Sequence, residues 1–198
     1  MSGIAPASLA PAAKALRAGA TLACIAALLA ACVGRETSRP DWLAAPVILG
    51  DSVSAQLIGV DSGLCLQVGG SGYSDRDPAE LAECNDSSRQ QFRLTYKTSG
   101  DFQVVNAGSG KCLDVDSGST QPLAKVFQWA CGDGPNQQLL VGNRGSLVQF
   151  QARHSGQCLD AQGGGRAPGT PLIQWPCSSA SNQLFWLMPS NKPKPKQP

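Results

Sequence analysis

The cysteine spacing limits the folds open to this chain more than any other feature. Cys84 follows Cys65, Cys131 follows Cys112 and Cys177 follows Cys158 by the same 19 residues. The leading cysteines are 47 and then 46 residues apart, and their flanks agree: Ser62-Gly63-Leu64-Cys65-Leu66, Ser109-Gly110-Lys111-Cys112-Leu113 and Ser155-Gly156-Gln157-Cys158-Leu159. Self-similarity at such a period means that one supersecondary unit has been copied, and that each copy buries its apolar face against the others. The copies also end alike, in Gln90-Gln91-Phe92, Asn136-Gln137-Gln138-Leu139 and Asn182-Gln183-Leu184-Phe185.

Between these marks the apolar stretches are short. Phe102 to Val105, Leu147 to Phe150 and Leu172 to Trp175 are separated by clusters of Gly, Ser, Asp and Asn. That is the punctuation of strands and turns, and no sustained 3.6-residue apolar period with caps interrupts it, so the repeats predict an all-β domain. The cysteines themselves could serve metal or disulfides. No pair reads Cys-x-x-Cys and the chain holds one histidine, His154, so a zinc site would have to be assembled from distant positions. Disulfides in an oxidising compartment are the better reading.

The 198 residues are 42% hydrophobic and 15% charged, enough for one domain with appendages. The formal charge of +2 includes Lys14 and Arg17 near the amino terminus, and Lys192, Lys194 and Lys196 in a terminal tail. Without the first two, the remainder is neutral. It lacks the clustered basic face that nucleic-acid binding requires, and that class is set aside.

Lys14 and Arg17 precede an apolar run from Ala18 to Ala31, the order of a secretory signal. The run is shorter than the roughly 20 residues of a membrane-spanning helix, which makes a permanent transmembrane anchor the weaker alternative. It ends in Leu29-Ala30-Ala31-Cys32, which resembles the lipobox of bacterial lipoproteins. The resemblance implies cleavage before Cys32, acylation of its thiol with a chain such as palmitate and of the new amino terminus, and placement at the outer membrane or cell surface. The plainer alternative is an ordinary cleaved signal that leaves Cys32 free, a liability where thiols oxidise. Residues 1–31 are thus read as a lipoprotein signal and 32–52, broken by Pro40 and Pro46, as a tether. Residues 190–198, alternating Lys and Pro, form an extended solvated tail.

Over Val53 to Met188 the chain resembles the ricin-type β-trefoil lectins, in the Gly-x-Cys-Leu opening, the 19-residue cysteine step and the closing Gln motif, three times over. The resemblance implies a pseudo-threefold β-trefoil in residues 53–189, with six strands in a barrel and six capping it. It also implies one disulfide per repeat: Cys65 with Cys84, Cys112 with Cys131, Cys158 with Cys177. Phe92, Leu139 and Phe185 stand where the family most often has Trp. They keep the large apolar side chain that core packing demands.

A sugar presents an apolar CH face that stacks on an aromatic ring, and vicinal hydroxyls that need a carboxylate acceptor and amide donors. The family's site positions carry that set in the second repeat, as Asp114, Trp129, Asn136 and Gln137, and in the third, as Asp160, Trp175, Asn182 and Gln183. The first repeat has Gln67, Ala82 and Arg89-Gln90 there, so it is expected to be silent. Phe127 and Ile173 replace a Gln that the family often has; Gln128 and Gln174 follow directly and should face the other side of their strands. Taken singly, each Asp could cap a turn and each Trp could be core; recurrence of four matched residues in two repeats favours sugar binding.

His154 lies in a presumed turn and reads as a surface residue. No strained nucleophile motif accompanies it, and the two acids sit in different repeats, too far apart to share a glycosidic bond. The expected function is a lectin whose partners are a glycan or polysaccharide and, through the lipid anchor, a membrane, with no cofactor or metal and no enzymatic activity. The alternative is a toxin-assembly subunit with a partner chain, resembling the A subunit of cytolethal distending toxins.

Overall fold

The computed structural model describes residues 52–190. The leader, Cys32, most of the tether and all but Ser190 of the tail lie outside the described residues. The first lobe contains β1 (Ser52–Gly59), β2 (Cys65–Val68), β3 (Ala79–Ala82) and β4 (Phe92–Tyr96). The second contains β5 (Phe102–Asn106), β6 (Cys112–Val115), β7 (Val126–Trp129) and β8 (Leu139–Arg144). The third contains β9 (Leu147–Ala152), β10 (Cys158–Ala161), β11 (Leu172–Trp175) and β12 (Phe185–Pro189).

Pairing makes this a β-trefoil. β1 pairs with β4, β4 with β5, β5 with β8, β8 with β9, β9 with β12 and β12 with β1, which closes six antiparallel strands into a barrel without free edges. The remaining six form three hairpins, β2 with β3, β6 with β7 and β10 with β11, each joined to the barrel through its leading cysteine. The disulfides fall within lobes: Cys65–Cys84, Cys112–Cys131 and Cys158–Cys177.

Phe92, Leu139 and Phe185 are buried at 0%, 2% and 1% exposure in the common core, and Phe185 meets Phe150 edge-on at 5.9 Å. The glutamine two residues before each of them, Gln90, Gln137 and Gln183, is buried as well. Its Oε1 accepts the backbone N–H just after the second cysteine, of Asn85, Gly132 or Ser178, at 2.8 Å. Its Nε2 donates to the carbonyl just before that cysteine, of Glu83, Ala130 or Pro176, at 2.8, 3.0 and 3.0 Å. Buried amides must find partners, and these close the turn around each disulfide.

A second threefold set was legible in the repeats but carries no sugar-site signature. Gln56, Gln103 and Gln149 stand nine residues before the leading cysteines and are buried on β1, β5 and β9. Each donates from Nε2 to a backbone carbonyl of the same turn, of Asn85, Gly132 or Ser178.

Candidate sugar site

Strand alternation sets the two faces of each hairpin. On β6 and β7, Leu113, Val115, Val126 and Gln128 are buried, while Asp114, Phe127 and Trp129 share the other face. The register places Asp114 opposite Phe127 and Cys112 opposite Trp129. The third lobe repeats it, with Asp160 opposite Ile173 and Cys158 opposite Trp175. Both indoles are 41% exposed, far more than a core Trp, so each presents a free apolar face beside its carboxylate.

Asn136 Nδ2 donates to Asp114 Oδ1 at 2.9 Å and Gln137 Nε2 to Oδ2 at 2.7 Å. A carboxylate offers about four acceptor positions, so two remain for ligand hydroxyls. In the third lobe Gln183 Nε2 donates to Asp160 Oδ2 at 2.9 Å, and Asn182 Nδ2 donates to the Ala161 carbonyl beside it at 3.2 Å. All eight predicted residues therefore gather into two groups of four. Their roles differ. Gln137 and Gln183 spend one amide N–H on the turn carbonyl and one on the carboxylate, so they position the acceptor and have no hydrogen left to donate to a ligand. Asn136 likewise donates to both Asp114 and the Val115 carbonyl.

Burial raises both carboxyls above the ordinary aspartate range; for Asp114 the bonds from Gln137 and Asn136 oppose this, and nearby Asp116 adds to it. For Asp160 the bonds from Gln183 and Asn182 oppose it. Asp160 is 3% exposed while Asp114 is half-buried, so the third-lobe carboxylate is the less accessible of the two. With Gln137 buried behind the carboxylate it holds, Asp114, Trp129 and Asn136 line a cleft of about 230 Å³ together with Arg76, Asp116, Ser117 and Phe127. That is below the roughly 300–1,000 Å³ of pockets for drug-sized molecules and suits a ligand of about one ring.

In the first lobe, Gln90 Nε2 donates to Gln67 Oε1 at 3.1 Å, the same contact made to an amide instead of an acid. Gln67 Nε2 in turn reaches Glu80 Oε1, on the facing strand, at 3.4 Å. A carboxylate is therefore present in this lobe, but on β3, opposite Gln67, rather than on β2. The stacking ring is missing, since Ala82 occupies its place.

Gln128 and Gln174 face away from the site, as alternation predicts. Gln128 accepts from Ser109 Oγ at 2.6 Å and donates to the Ser74 carbonyl at 2.9 Å; Gln174 accepts from Ser155 Oγ and donates to the Ser119 and Gln121 carbonyls, each at 2.7 Å. They tie each lobe to the one before it. His154 is half-buried rather than freely exposed, with Nε2 2.9 Å from the Ser119 carbonyl oxygen on the same seam between the second and third lobes.

The chain matches the family described as ricin-type beta-trefoil lectin domain-like three times, over residues 47–129, 88–175 and 135–193. No curated protein sequence matches it. Among solved structures it is similar to ThreeFoil, a designed 3-fold symmetric protein, with 31% identity and a TM-score of 0.66 over 68% of this chain and 97% of that one. It is also similar to the hemolytic lectin CEL-III, with 31% identity and a TM-score of 0.56, over 68% of this chain but 30% of that one. The Rhizoctonia solani agglutinin, at 19% identity and a TM-score of 0.65 over 73% of this chain and 99% of that one, shares the fold. With matches that run through all three lobes and a trefoil that carries one disulfide in each, this chain belongs to the ricin-type β-trefoil lectin domain family.

Proposed function

We propose that the protein is a carbohydrate-binding lectin, held by a lipid anchor at Cys32 on a bacterial surface, that binds glycan through its second and third lobes. One observation carries the binding reading. In these two lobes alone, a carboxylate fixed by a Gln amide shares a hairpin face with a 41% exposed indole. A half-exposed Trp beside a partly desolvated acid has no packing rationale, whereas a sugar ring uses both: CH groups on the indole, vicinal hydroxyls on the carboxylate. The lectins similar in fold support the same reading. The anchor rests on the leader and Leu29-Ala30-Ala31-Cys32. An acid, an exposed ring and fixing amides recurring in two lobes favour this reading over a subunit that only packs on a toxin partner. A glycan array probed with the soluble domain tests the reading, and binding to no glycan would refute it.

A further inference from the structure

Each hairpin is flanked by a residue from the lobe before it. Arg76, Leu123 and Gly169 each lie 11 residues after a leading cysteine, and all three have left-handed backbone, with φ of 67°, 69° and 86°. Their N–H groups donate to the Gln128, Gln174 and Leu81 carbonyls of the next lobe, at 2.9, 2.9 and 2.7 Å. The three positions are equivalent, yet one carries a cation, one an exposed aliphatic chain and one nothing.

At the second lobe this residue enters the cleft. The Arg76 guanidinium lies 4.8 Å from the Phe127 ring centre and pairs with Asp116 through two contacts of 3.3 and 3.4 Å, and it lines the same cleft as Asp114 and Trp129. Arginine has five donors and no acceptor, so donors remain after Asp116 is served. The cleft therefore sets an acceptor-only carboxylate against a donor-only guanidinium. Charge decides what faces the latter: Asp116 balances Arg76 and Asp114 leaves the cleft negative, so a ligand acid is repelled and a neutral oxygen is accepted. At the third lobe the equivalent residue is Leu123, and Gln162 stands in place of Asp116, so neither the guanidinium nor its ion pair is present at these positions.

We propose that Arg76 is a specificity-determining residue of the second-lobe site: it selects neutral sugars that offer an oxygen acceptor away from the hydroxyls held by Asp114, and the third lobe lacks this selection. The inference rests on the lectin reading above, and site-resolved titration separates the two. The full chain in detergent, labelled at its tryptophan indoles, is titrated by NMR with galactose, glucose, mannose and xylose, with their monodeoxy forms, and with galacturonate and glucuronate. Trp129 reports the second lobe and Trp175 the third.

For a sugar that shifts both indoles, at least one deoxy form should bind about tenfold more weakly at Trp129 and unchanged at Trp175, the modest loss expected at a half-exposed rim. The uronates should not outbind their parent hexoses at Trp129. Arg76→Leu, which copies the residue that this chain tolerates at Leu123, should erase the tenfold difference. The Trp175 titration in the same sample shows that the variant is folded. Arg76→Lys keeps a donor and should retain part of the difference, which tests the idea even where Arg76→Leu fails to fold. Equal weakening of all sugars by Arg76→Leu, no deoxy form weakened at Trp129, or a uronate preferred there would overturn the proposal while sparing the lectin reading. Shifts at neither indole with any sugar would overturn both.

Discussion

Gln90 donates an amide N–H to Gln67 at 3.1 Å, in the place where Gln137 and Gln183 donate to carboxylates. The first lobe thus makes the same Gln contact to an amide instead of an acid, and its carboxylate, Glu80, stands on the facing strand, with Ala82 where the other lobes carry Trp. Gln67→Ala should leave the affinity and stoichiometry of sugar binding unchanged by calorimetry. A fall in stoichiometry would assign a ligand to the first lobe.

Asp114 and Asp160 are expected to serve independent, weak sites of about millimolar affinity, near −4 kcal/mol each. Asp114→Ala or Asp160→Ala should each halve the stoichiometry for a free monosaccharide, and the double variant should be inert. Binding to a repeating polymer should fall far more steeply, on the order of 10²-fold, because avidity between linked sites is lost. A double variant that binds like the parent would show that the trefoil serves some other contact.

Acidification should weaken binding before it unfolds the domain. Sugar hydroxyls donate to the ionised carboxylate, and burial raises both site carboxyls, so the acceptor is lost at a pH above the ordinary aspartate range. Stability has the opposite sign. A carboxyl whose folded pKa exceeds its unfolded one favours the folded state at low pH, and that contribution is lost as pH rises from the unfolded value through the folded one. Affinity and near-ultraviolet circular dichroism followed from about pH 7 to about pH 3 should therefore separate, with affinity falling first; a simultaneous fall would place the loss in unfolding.

Each disulfide closes a loop between cysteines 19 residues apart. Alkylation of the native soluble domain without reductant should find no free thiol. Replacing Cys112 and Cys131 together by Ala should lower stability by about 3 kcal/mol, read from the denaturant midpoint, by relaxing the chain-entropy constraint on the unfolded state. A midpoint unchanged by the pair would mean that the buried Gln137 network holds this turn unaided.

Radiolabelled palmitate should be incorporated through Cys32, because Leu29-Ala30-Ala31-Cys32 ends the apolar leader. Cys32→Ser should abolish the label and free the protein from the membrane fraction, since stable anchoring takes more than one acyl chain. Equal labelling of the variant would refute the lipid anchor.

The sequence alone was sufficient for the threefold architecture, the closing core residues Phe92, Leu139 and Phe185, and the grouping of Asp, Trp, Asn and Gln in the second and third lobes. All of these depend on offsets within one hairpin and its turn, where the period of two along a strand and a cysteine at each end fix which side chains meet. Contacts between lobes were not legible, because they form only when the barrel closes. Arg76 and Asp116 are 40 residues apart, and Gln174 and Ser119 are 55 apart, with nothing in the intervening sequence to announce the meeting. The same holds for exposure: Asp114 and Asp160 have identical sequence offsets, and only packing left the first half-buried and the second 3% exposed. Local register chose the residues of the sites, and closure of three lobes around one axis decided how each site differs from its copy.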